Sequence, residues 1–461
     1  MRLLPALLPL LLSACAGVHP GRAEALPLPL AAGPMLGHVG TDRARVWVQG
    51  SERGWAWLEW KAAEAEAWQD ARFHDGRRAR VFLHEDQDFA GVCELPGLAP
   101  ATEYRYRVVG RHGPLGDPAG HGFRTPPLPG AAEDLVVAFG SCAGDWGEDA
   151  SQPVWRAVQA QDPDLFLWLG DNLYFRLQES EWLDPAAMAE RWRIQRGLAN
   201  LQPLLPGTAH YAVWDDHDYG PNDSDKTYAL KDASLELFVR YWANPAYGSG
   251  GVPGVWHRFR RGQVEFFLLD GRFHRDLQHA EPDRSKTQFG EAQWQWLEEG
   301  LRRSDAAFKV LVSPSQVLAD YHSFEGWWAY PADRKRLRDL VVRHRIDGLV
   351  LLSGDRHIGE VLVGEGLEYP LLEFCSSPLA AGIGQHPPAE LPMRWPGTLV
   401  TQENFGLLRF EFGGTEGPRL RYAAHGVDGQ PLHEEVVVRL EDLRWPEIPV
   451  PGPSGNPLIG G

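Results

Sequence analysis

The sequence predicts a large α/β domain that follows a smaller all-β domain. Between Gly33 and Thr125 the residues are strand-like, and no convincing helical period extends beyond the stretch 55–68. From Asp134 onward, short apolar strands alternate with amphipathic helices, which is typical of an α/β domain. A chain of 461 residues is long enough for about two or three domains of ordinary size.

The N-terminal domain is expected to be a β-sandwich. Strand patterns cover residues 44–49, 55–60, 80–83 and 104–109. The segment from Leu98 to Tyr106 resembles the turn and strand of fibronectin-type and related immunoglobulin-like domains. A proline-rich joint at 125–130 marks its end. We therefore expect an immunoglobulin/fibronectin-like sandwich over residues 33–126.

The α/β domain is expected over residues 133–443. Predicted strands occupy 135–140, 165–169, 211–214, 264–270, 309–313 and 348–353, and predicted helices occupy 154–161, 185–199, 229–242, 291–302 and 331–344. Strands return from Val361 and include 407–412 and 419–424. Residues 444–461 are rich in proline and glycine, which predicts an extended tail.

The first fourteen residues indicate a targeting signal rather than part of a fold. The positively charged Met1-Arg2 segment precedes the apolar stretch 3–12, which is too short to span a bilayer. Leu12-Ser13-Ala14-Cys15 resembles the lipobox of bacterial lipoproteins, which implies cleavage after residue 14 and a lipid on Cys15. The alternative is an ordinary signal peptide that is cut nearby.

The lipobox resemblance predicts an exported protein that is anchored to the cell envelope through Cys15. Ala16, directly after the cysteine, favours the outer membrane in Gram-negative sorting. Residues 15–32 would then be a linker to the first domain. No later segment of the sequence has the pattern of a transmembrane helix.

The composition is acidic, with a formal net charge of −17. This balance argues against a nucleic-acid partner, because affinity for the phosphate backbone is supplied by lysine and arginine. Surplus carboxylates can instead hold divalent cations, which restore a positive field for an anionic substrate.

Three cysteines remain after the expected cleavage and lipidation. Their odd number and wide spacing predict no disulfide framework. Cys93 lies in an alternating stretch and Cys375 follows an apolar run, so both are expected to be small buried side chains. Cys142 has a different context, because it lies one serine beyond the end of a predicted strand.

Four predicted strands end in residue types that bind metals. Ligand sites in open α/β sheets lie at the carboxyl ends of strands, where side chains from distant segments converge. A single Gly-Asp pair would be weak evidence, because turns are rich in both residues. Four such ends together predict one shared metal site, with the candidate ligands Cys142, Asp171, Tyr174, Asp216, Asp355 and His357.

The spacing within the motifs supports a shared site. In Asp355-Arg356-His357, an extended backbone would project the carboxylate and the imidazole to one face and Arg356 away from it. A turn after the preceding strand would bring Asp171 and Tyr174 together. A thiol beside a cation would be deprotonated. The alternatives are a core tyrosine, a structural histidine and a merely buried cysteine.

Together the motifs resemble those of PhoD-like alkaline phosphatases. The resemblance extends from about Gly33 to Ala424 and implies the αββα sandwich of calcineurin-like metallophosphoesterases. Cys142 stands where many relatives place an Asp-x-His pair, and Asp216-His217 where they place Asn-His. The motifs, in the order of the family, are Phe139-Gly140-Ser141-Cys142, Leu169-Gly170-Asp171-Asn172-Leu173-Tyr174, Trp214-Asp215-Asp216-His217-Asp218, Leu269-Asp270-Gly271-Arg272 and Ser353-Gly354-Asp355-Arg356-His357.

The family resemblance implies one ferric iron together with calcium ions. Asp171 would bridge the metals, and Asp216 and Asp355 would lie on the calcium side. This division agrees with ligand preference, because calcium takes carboxylate oxygens and a transition metal takes thiolate, phenolate and imidazole. The residue types alone also leave zinc and manganese open, and Asp215 remains an alternative to Asp216. The implied iron ligands are Cys142, Asp171, Tyr174 and His357.

Several further residues have both a functional and a structural interpretation. His217 is a candidate phosphate contact or general acid, or else a structural histidine in a turn. Arg272 is a candidate phosphate contact or a partner in a salt bridge. Asn222 and Asp223 would complete the metal shell or lie in a solvated turn. Trp327-Trp328 would form a wall of the pocket or belong to the core.

The leading hypothesis is an alkaline phosphomonoesterase that uses metal-assisted in-line attack on phosphorus. The second is a phosphodiesterase that acts on phospholipid, nucleotide or wall-polymer esters. The third is a surface binding protein whose α/β domain has lost its catalytic function. Loss of function should have eroded at least one ligand position, and all of them are present.

Overall fold

The computed structural model describes residues 30–116, 121–146, 150–176, 180–278, 286–364, 369–385 and 388–446. The expected signal peptide, Cys15, and almost all of the expected linker and tail lie outside these residues. Within them, no helix combines the length and the apolar character that crossing a membrane requires.

The N-terminal region is all β, as predicted. Its smaller sheet has the order β1-β2-β6, and its larger sheet has the order β4-β3-β7-β8, with β5 paired to β3 and β9 to β7. Gly91 of β6 lies directly over Val81 of β5, so the two sheets pack face to face. The strands are β1 Leu30–Val39, β2 Arg43–Gly50, β3 Gly54–Ala62, β4 Gln69–Asp70, β5 Arg80–Leu83, β6 Ala90–Pro96, β7 Glu103–Gly110, β8 Gly113–Leu115 and β9 Gly122–Arg124.

The remaining strands and the helices form the α/β domain. The strands are β10 Leu135–Gly140, β11 Leu165–Leu169, β12 Ala209–Val213, β13 His257–Arg261, β14 Val264–Leu268, β15 Phe308–Val312, β16 Leu349–Ser353, β17 Glu360–Gly364, β18 Leu371–Cys375, β19 Asn404–Glu411, β20 Arg419–Gly426 and β21 Val436–Arg439. The helices are α1 Val154–Ala160, α2 Pro185–Arg196, α3 Asp216–Tyr219, α4 Lys231–Tyr241, α5 Gly290–Arg303 and α6 Pro331–His344.

Local sequence explains where the helices begin. Asp184 precedes α2 and accepts a hydrogen bond of 2.9 Å from the Ala186 N–H, which caps the helix. Pro185 and Pro331 begin α2 and α6, where a missing N–H costs no helical hydrogen bond. Five helices lie where the sequence predicts them, and the single turn of α3 was not predicted.

Two six-stranded sheets form the centre of the α/β domain. Their orders are β12-β11-β10-β19-β20-β21 and β13-β14-β15-β16-β18-β17. Strands β10, β11 and β12 run parallel, as do β14, β15, β16 and β18. Phe410 of the first sheet packs against Phe266 and Phe308 of the second, with ring centroids 6.4 and 5.3 Å apart. The mixed α/β prediction is therefore confirmed.

The parallel strands deliver their carboxyl ends to one edge of this sandwich. Cys142 follows β10, Asp171 follows β11, Asp215 follows β12 and Asp355 follows β16. The Asp355 N–H donates a hydrogen bond of 3.0 Å to the Ser141 hydroxyl, which connects the ends of β16 and β10 across the two sheets. The candidate ligands are therefore brought together from distant parts of the chain.

Strand β1 attaches the β domain directly to the α/β domain. The Leu36 N–H donates to the Leu205 carbonyl and the His38 N–H donates to the Ala243 carbonyl, each at 2.9 Å. Gly37, between them, approaches Ala243 so closely that a Cβ atom on Gly37 would lie 2.4 Å from the Ala243 Cβ. The two domains are thus joined by backbone hydrogen bonds and close packing.

Candidate metal centre

The first group of donors combines a thiol, a carboxylate and an imidazole. Cys142, Asp171 and His357 each place a ligand atom within 4.8 Å of the other two. The Cys142 Sγ lies 3.5 Å from the Asp171 Oδ2, and the Tyr174 hydroxyl lies 3.3 Å from the His357 Nε2. The structure therefore brings together the four residues that the resemblance assigns to iron.

A second group shares Asp171 with the first. Asp171, Asp216 and His217 form this group, and the His217 N–H donates a hydrogen bond of 3.2 Å to the Asp171 Oδ1. The His217 ring packs against the Tyr174 ring, with centroids 4.4 Å apart. His217 is half-buried. Asp171 thus lies between the two groups, the position expected of a bridging ligand.

A third group contains Asp215, Asp216 and Glu325. Glu325 was not predicted from the sequence. It is buried in the segment between β15 and α6, and it follows neither a predicted strand nor a metal-binding motif. A single glutamate beside Gly326 gives no pattern in the sequence, and only its position in the fold reveals it.

Of the two interpretations of Arg272, the structure shows the salt bridge. The Arg272 Nε donates to the Asp215 Oδ1 at 2.6 Å, and the Nη1 atom donates to the Ser224 carbonyl and to Glu325 at 3.1 and 3.0 Å. The Nη2 atom contacts both carboxylates. The side chain is fully buried and its donors are used by these partners, whereas the phosphate contact stays a prediction.

Asp355 lies at the same edge but outside these three groups of donors. Burial and the negative charge of Asp355 raise the pKa of Cys142, and burial and the charges of Glu325 and Asp216 raise the pKa of Asp355. The charge of Asp355 therefore acts on the donors of the first group, and the donors of the third group act on Asp355. Its position is compatible with a ligand on the carboxylate side of the centre.

The backbone of the site differs from the extended geometry that the sequence predicts. Asp355 and His357 have φ angles of +68° and +55°, so the segment is bent rather than extended. Cys142 and Asp171 are also left-handed, with φ angles of +64° and +47°. Residues other than glycine rarely adopt this conformation, and it clusters at functional sites. The prediction of an extended i, i+2 pair is therefore wrong, although both side chains reach the site.

The side chains of the site carry too much negative charge for their surroundings. Burial, together with the charge of Asp355, raises the pKa of the Cys142 thiol to about 12. Burial and the nearby charges of Cys142 and Asp216 raise the pKa of Asp171 well above its usual range. Burial and the charge of Asp171 raise the pKa of Tyr174 in the same way. A cation would reverse all three shifts.

Unsatisfied oxygen atoms also fit a metal centre. The Asp215 Oδ2 and the Asp216 Oδ1 are buried and have no hydrogen-bond partner within the described part of the chain. Such atoms are costly to bury unless a ligand or an ion compensates them. The donor types and these two oxygens therefore fit the metal centre that the resemblance implies. The Asp223 N–H donates to the Asp216 Oδ2 at 2.7 Å, which leaves the Oδ1 available.

Neighbouring polar groups hold the ligand segments in place. Asp218 accepts a hydrogen bond of 2.8 Å from the Asp215 N–H and one of 2.6 Å from the Asn172 side chain. It thus connects the segment after β12 to the segment after β11. The His357 Nδ1 lies 2.9 Å from the Gly382 carbonyl, which orients the ring with its Nε2 toward Tyr174.

Other predicted residues have structural positions. Asn222 is exposed in a turn, as the alternative interpretation expected. Trp327 belongs to the core and donates to the Ser313 hydroxyl at 2.9 Å. Trp328 lines a cavity whose lining includes none of the candidate metal ligands. Cys93 and Cys375 are free and buried, as predicted.

The family comparisons agree with the resemblance in the sequence. A family model for PhoD-like phosphatases matches residues 137–390, and a model for a domain of unknown function (DUF7800) matches residues 28–111. Alkaline phosphatase D of Bacillus subtilis (strain 168) is 26% identical over 314 residues, which cover 57% of this chain and 52% of that protein. The chain thus spans about half the length of this relative.

Two solved structures share the fold. A structure of PhoD covers 90% of this chain and 93% of its own, with a TM-score of 0.70 and 17% identity. A purple acid phosphatase from yellow lupin (Lupinus luteus) seeds covers 90% of this chain and 76% of its own, with a TM-score of 0.64 and 14% identity. At these identities the match concerns the fold.

Proposed function

The chain belongs to the PhoD-like phosphatase family, and we propose that it is a metal-dependent phosphoric ester hydrolase acting as an alkaline phosphomonoesterase. The observation that carries this proposal is the set of three overlapping donor groups at the carboxyl ends of the parallel strands. Their donors come from four strand ends and from Glu325. A core without a ligand would not assemble so many buried acidic groups around a single arginine.

We assign the metals by the chemistry of the donors. Cys142, Tyr174 and His357 would hold a ferric iron together with Asp171. Asp216 and Asp355 would hold calcium. Metal ions held by these residues would supply Lewis acidity toward the phosphoryl oxygens.

The chain supplies positioning and a proton donor around this centre. His217 lies in the short helix α3 and is anchored by its N–H on Asp171, while its ring remains half-buried against Tyr174. We assign it a hydrogen bond to the phosphate or proton donation to the leaving oxygen. Arg272 is a positioning residue, because its contacts fix the carboxylates of Asp215 and Glu325.

Elemental analysis and turnover of 4-nitrophenyl phosphate test the function together. We expect iron and calcium in the purified protein and phosphate release by the metal-loaded enzyme. Zinc alone would overturn the metal assignment, and an absence of turnover in the metal-loaded enzyme would overturn the function. A lower rate on 4-nitrophenyl phosphate than on bis(4-nitrophenyl) phosphate would favour the diesterase alternative.

The Asp171→Asn substitution tests the proposed centre directly. Asp171 lies between two donor groups, so this change should remove bound metal and lower kcat/KM by more than about 100-fold, the upper range for residues that only support a ligand. The matched control is Asp232→Asn, on the exposed side of α4. Retained metal and activity in the Asp171 variant would contradict the assignment.

We also propose that the protein acts outside the cytoplasm, anchored through Cys15. The support is the sequence Leu12-Ser13-Ala14-Cys15 after an apolar stretch. Metabolic labelling with a radioactive fatty acid should label the wild-type protein, and Cys15→Ala should abolish the label and release the protein from membranes. Equal labelling of both proteins would show that the anchor is not at Cys15.

A further inference from the structure

A cavity of about 580 Å³ opens beside the candidate metal centre. Its lining includes Arg356, Phe324, His322 and Gln385. Arg356 stands between Asp355 and His357 in the sequence, and Phe324 directly precedes Glu325. Two segments that carry donors of the centre therefore also form walls of the cavity.

Arg356 is a largely buried cation that forms no salt bridge within the described residues. The residue is only 6% exposed, and its Nε has no hydrogen-bond partner in the described ranges. Its guanidinium lies over the Phe324 ring, 4.3 Å from the centroid, and its positive charge opposes the rise in the pKa of Asp355, although no carboxylate of the described ranges lies within salt-bridge distance of it. Burying a charge in this way is costly unless an anion compensates it.

Arg272, in the same region, provides a comparison, because its guanidinium is paired with carboxylates of the protein. Arg272 is fully buried and is compensated by both Asp215 and Glu325. Arg356 has no such salt bridge within the described residues and faces a cavity large enough for a small-molecule group. The contrast indicates that the partner of Arg356 comes from a ligand.

Among the described residues, the rest of the cavity lining provides no salt bridge to Arg356. Burial and the charge of Arg356 lower the pKa of His322 to about 4, so this imidazole is neutral at pH 7. The carboxylate of Asp320, also in the lining, lies 3.7 Å from the Arg334 guanidinium. The cavity therefore presents a positive guanidinium, which suits a phosphate or carboxylate group in a forked pair of hydrogen bonds.

Hydrogen bonds hold the walls of the cavity in position. The Gly384 N–H donates to the His357 carbonyl at 3.3 Å, which ties the segment before Gln385 to the metal-binding motif. On the opposite wall, the Trp328 Nε1 donates to the Phe324 carbonyl at 2.6 Å. The subsite is thus built by the fold beside the donors of the centre.

We propose that the substrate is a phosphate ester whose alcohol portion carries a second anionic group, and that Arg356 binds this group in the cavity. This inference rests on the proposed function, because the ester phosphate itself must lie at the candidate metal centre. The cavity volume accommodates an alcohol of sugar or nucleoside size. Arg356 therefore selects among phosphate esters.

A matched pair of substrates tests the inference with the full-length, metal-loaded enzyme. Glucose 1,6-bisphosphate and glucose 1-phosphate differ only in the second phosphate. The wild type should prefer the bisphosphate in kcat/KM by about 10-fold or more, mainly through KM, as a charge-assisted hydrogen-bond pair predicts. Arg356→Gln should bring this ratio close to one, and Arg356→Lys should retain part of it.

Two further variants separate this role from indirect effects. Arg303→Gln removes one exposed positive charge from α5 and should leave the ratio at its wild-type value. Phe324→Leu removes the ring under Arg356 and leaves the motif 355–357 unchanged. This variant should lower the ratio. A wild type without preference, or a preference retained in both the Arg356→Gln and the Phe324→Leu variants, overturns the inference. A wild type that hydrolyses neither sugar phosphate nor 4-nitrophenyl phosphate overturns the proposed function instead.

Discussion

Arg272 shows how one side chain organises an acidic site. Its guanidinium lies between the carboxylates of Asp215 and Glu325, which belong to different segments of the α/β domain. Without it, these buried carboxylates would repel each other and Asp216. Arg272 therefore stabilises the arrangement of the donors.

Replacement of Arg272 by glutamine is expected to destabilise the protein strongly. The change leaves two buried carboxylates without a cation, so the free energy of unfolding should fall by about 3–5 kcal/mol. Arg303→Gln, which breaks an exposed pair with Glu299, is the matched control and should cost less than about 1 kcal/mol. Urea denaturation of both variants measures the difference, and equal stability of the two would contradict this role.

At the residue scale, the sequence predicts donors better than it predicts their geometry. Asp171, Asp216 and His357 follow apolar strands, and such ends converge in any open α/β sheet. Glu325 could not be predicted, because it contacts the site only through the path of the segment after β15. The left-handed backbone of Asp355 and His357 also has no signal in the residue types.

At the scale of elements, buried strands are predicted well because they are apolar on both faces. Every residue of β11, β12 and β16 is buried, which gives short continuous apolar runs in the sequence. The sequence does not predict β1, and the expected linker includes its first residues, 30–32. Its two glycines and Pro34 weaken the strand pattern, and its place in the fold depends on distant partners in β2 and in the α/β domain.

The close approach of β1 to the α/β domain makes Gly37 sensitive to substitution. A Cβ atom at this position would lie 2.4 Å from the Ala243 Cβ and 2.5 Å from the Ala243 carbonyl oxygen. Gly37→Ala should therefore shift β1 and lower the free energy of unfolding by about 1–3 kcal/mol, the usual cost of overpacking. Chemical denaturation measures this cost.

Gly413 provides the matched control for this prediction. Among the described residues, no heavy atom outside its chain neighbours lies within 4 Å of the place that a Cβ atom on Gly413 would occupy. Its φ angle is not positive, so Gly413→Ala should leave the stability nearly unchanged. A Gly37→Ala variant as stable as the control would show that β1 docks less tightly than the contacts indicate.

At the scale of the whole molecule, the two domains share one apolar core that passes through their contact. Tyr211 of β12 lies at this contact, where its hydroxyl accepts the Val39 N–H at 3.1 Å and its ring stacks on Phe259. The Tyr106 hydroxyl donates to the Pro206 carbonyl at 2.9 Å from the other side. The β domain is therefore part of the support of β12, which delivers Asp215 and Asp216 to the site.

Buried histidines make this combined core sensitive to acid. Burial lowers the pKa of His38 and of His210 to about 3, and that of His257 to about 4. Unfolding returns each of them to about 6.5. Below pH 6.5 the unfolded chain therefore binds protons that the folded protein does not, and the free energy of unfolding falls as the pH falls.

His210 allows this effect to be tested for a single group. Its Nδ1 accepts a hydrogen bond of 3.0 Å from the Trp168 Nε1, and a glutamine carbonyl can accept the same bond without titrating. His210→Gln should therefore lose less stability on acidification than the wild type, by about 1.4 kcal/mol per pH unit between pH 6 and pH 4. Above pH 7 the difference between the two proteins should be constant, because His210 is then uncharged in both the folded and the unfolded state.

Urea denaturation across this range measures the slopes. His74→Gln, at an exposed position, is the control that should keep the wild-type slope. Because all three proteins have the same metal-binding residues, acid-induced loss of metal affects them equally, and parallel stability profiles would contradict the neutral, buried state of His210.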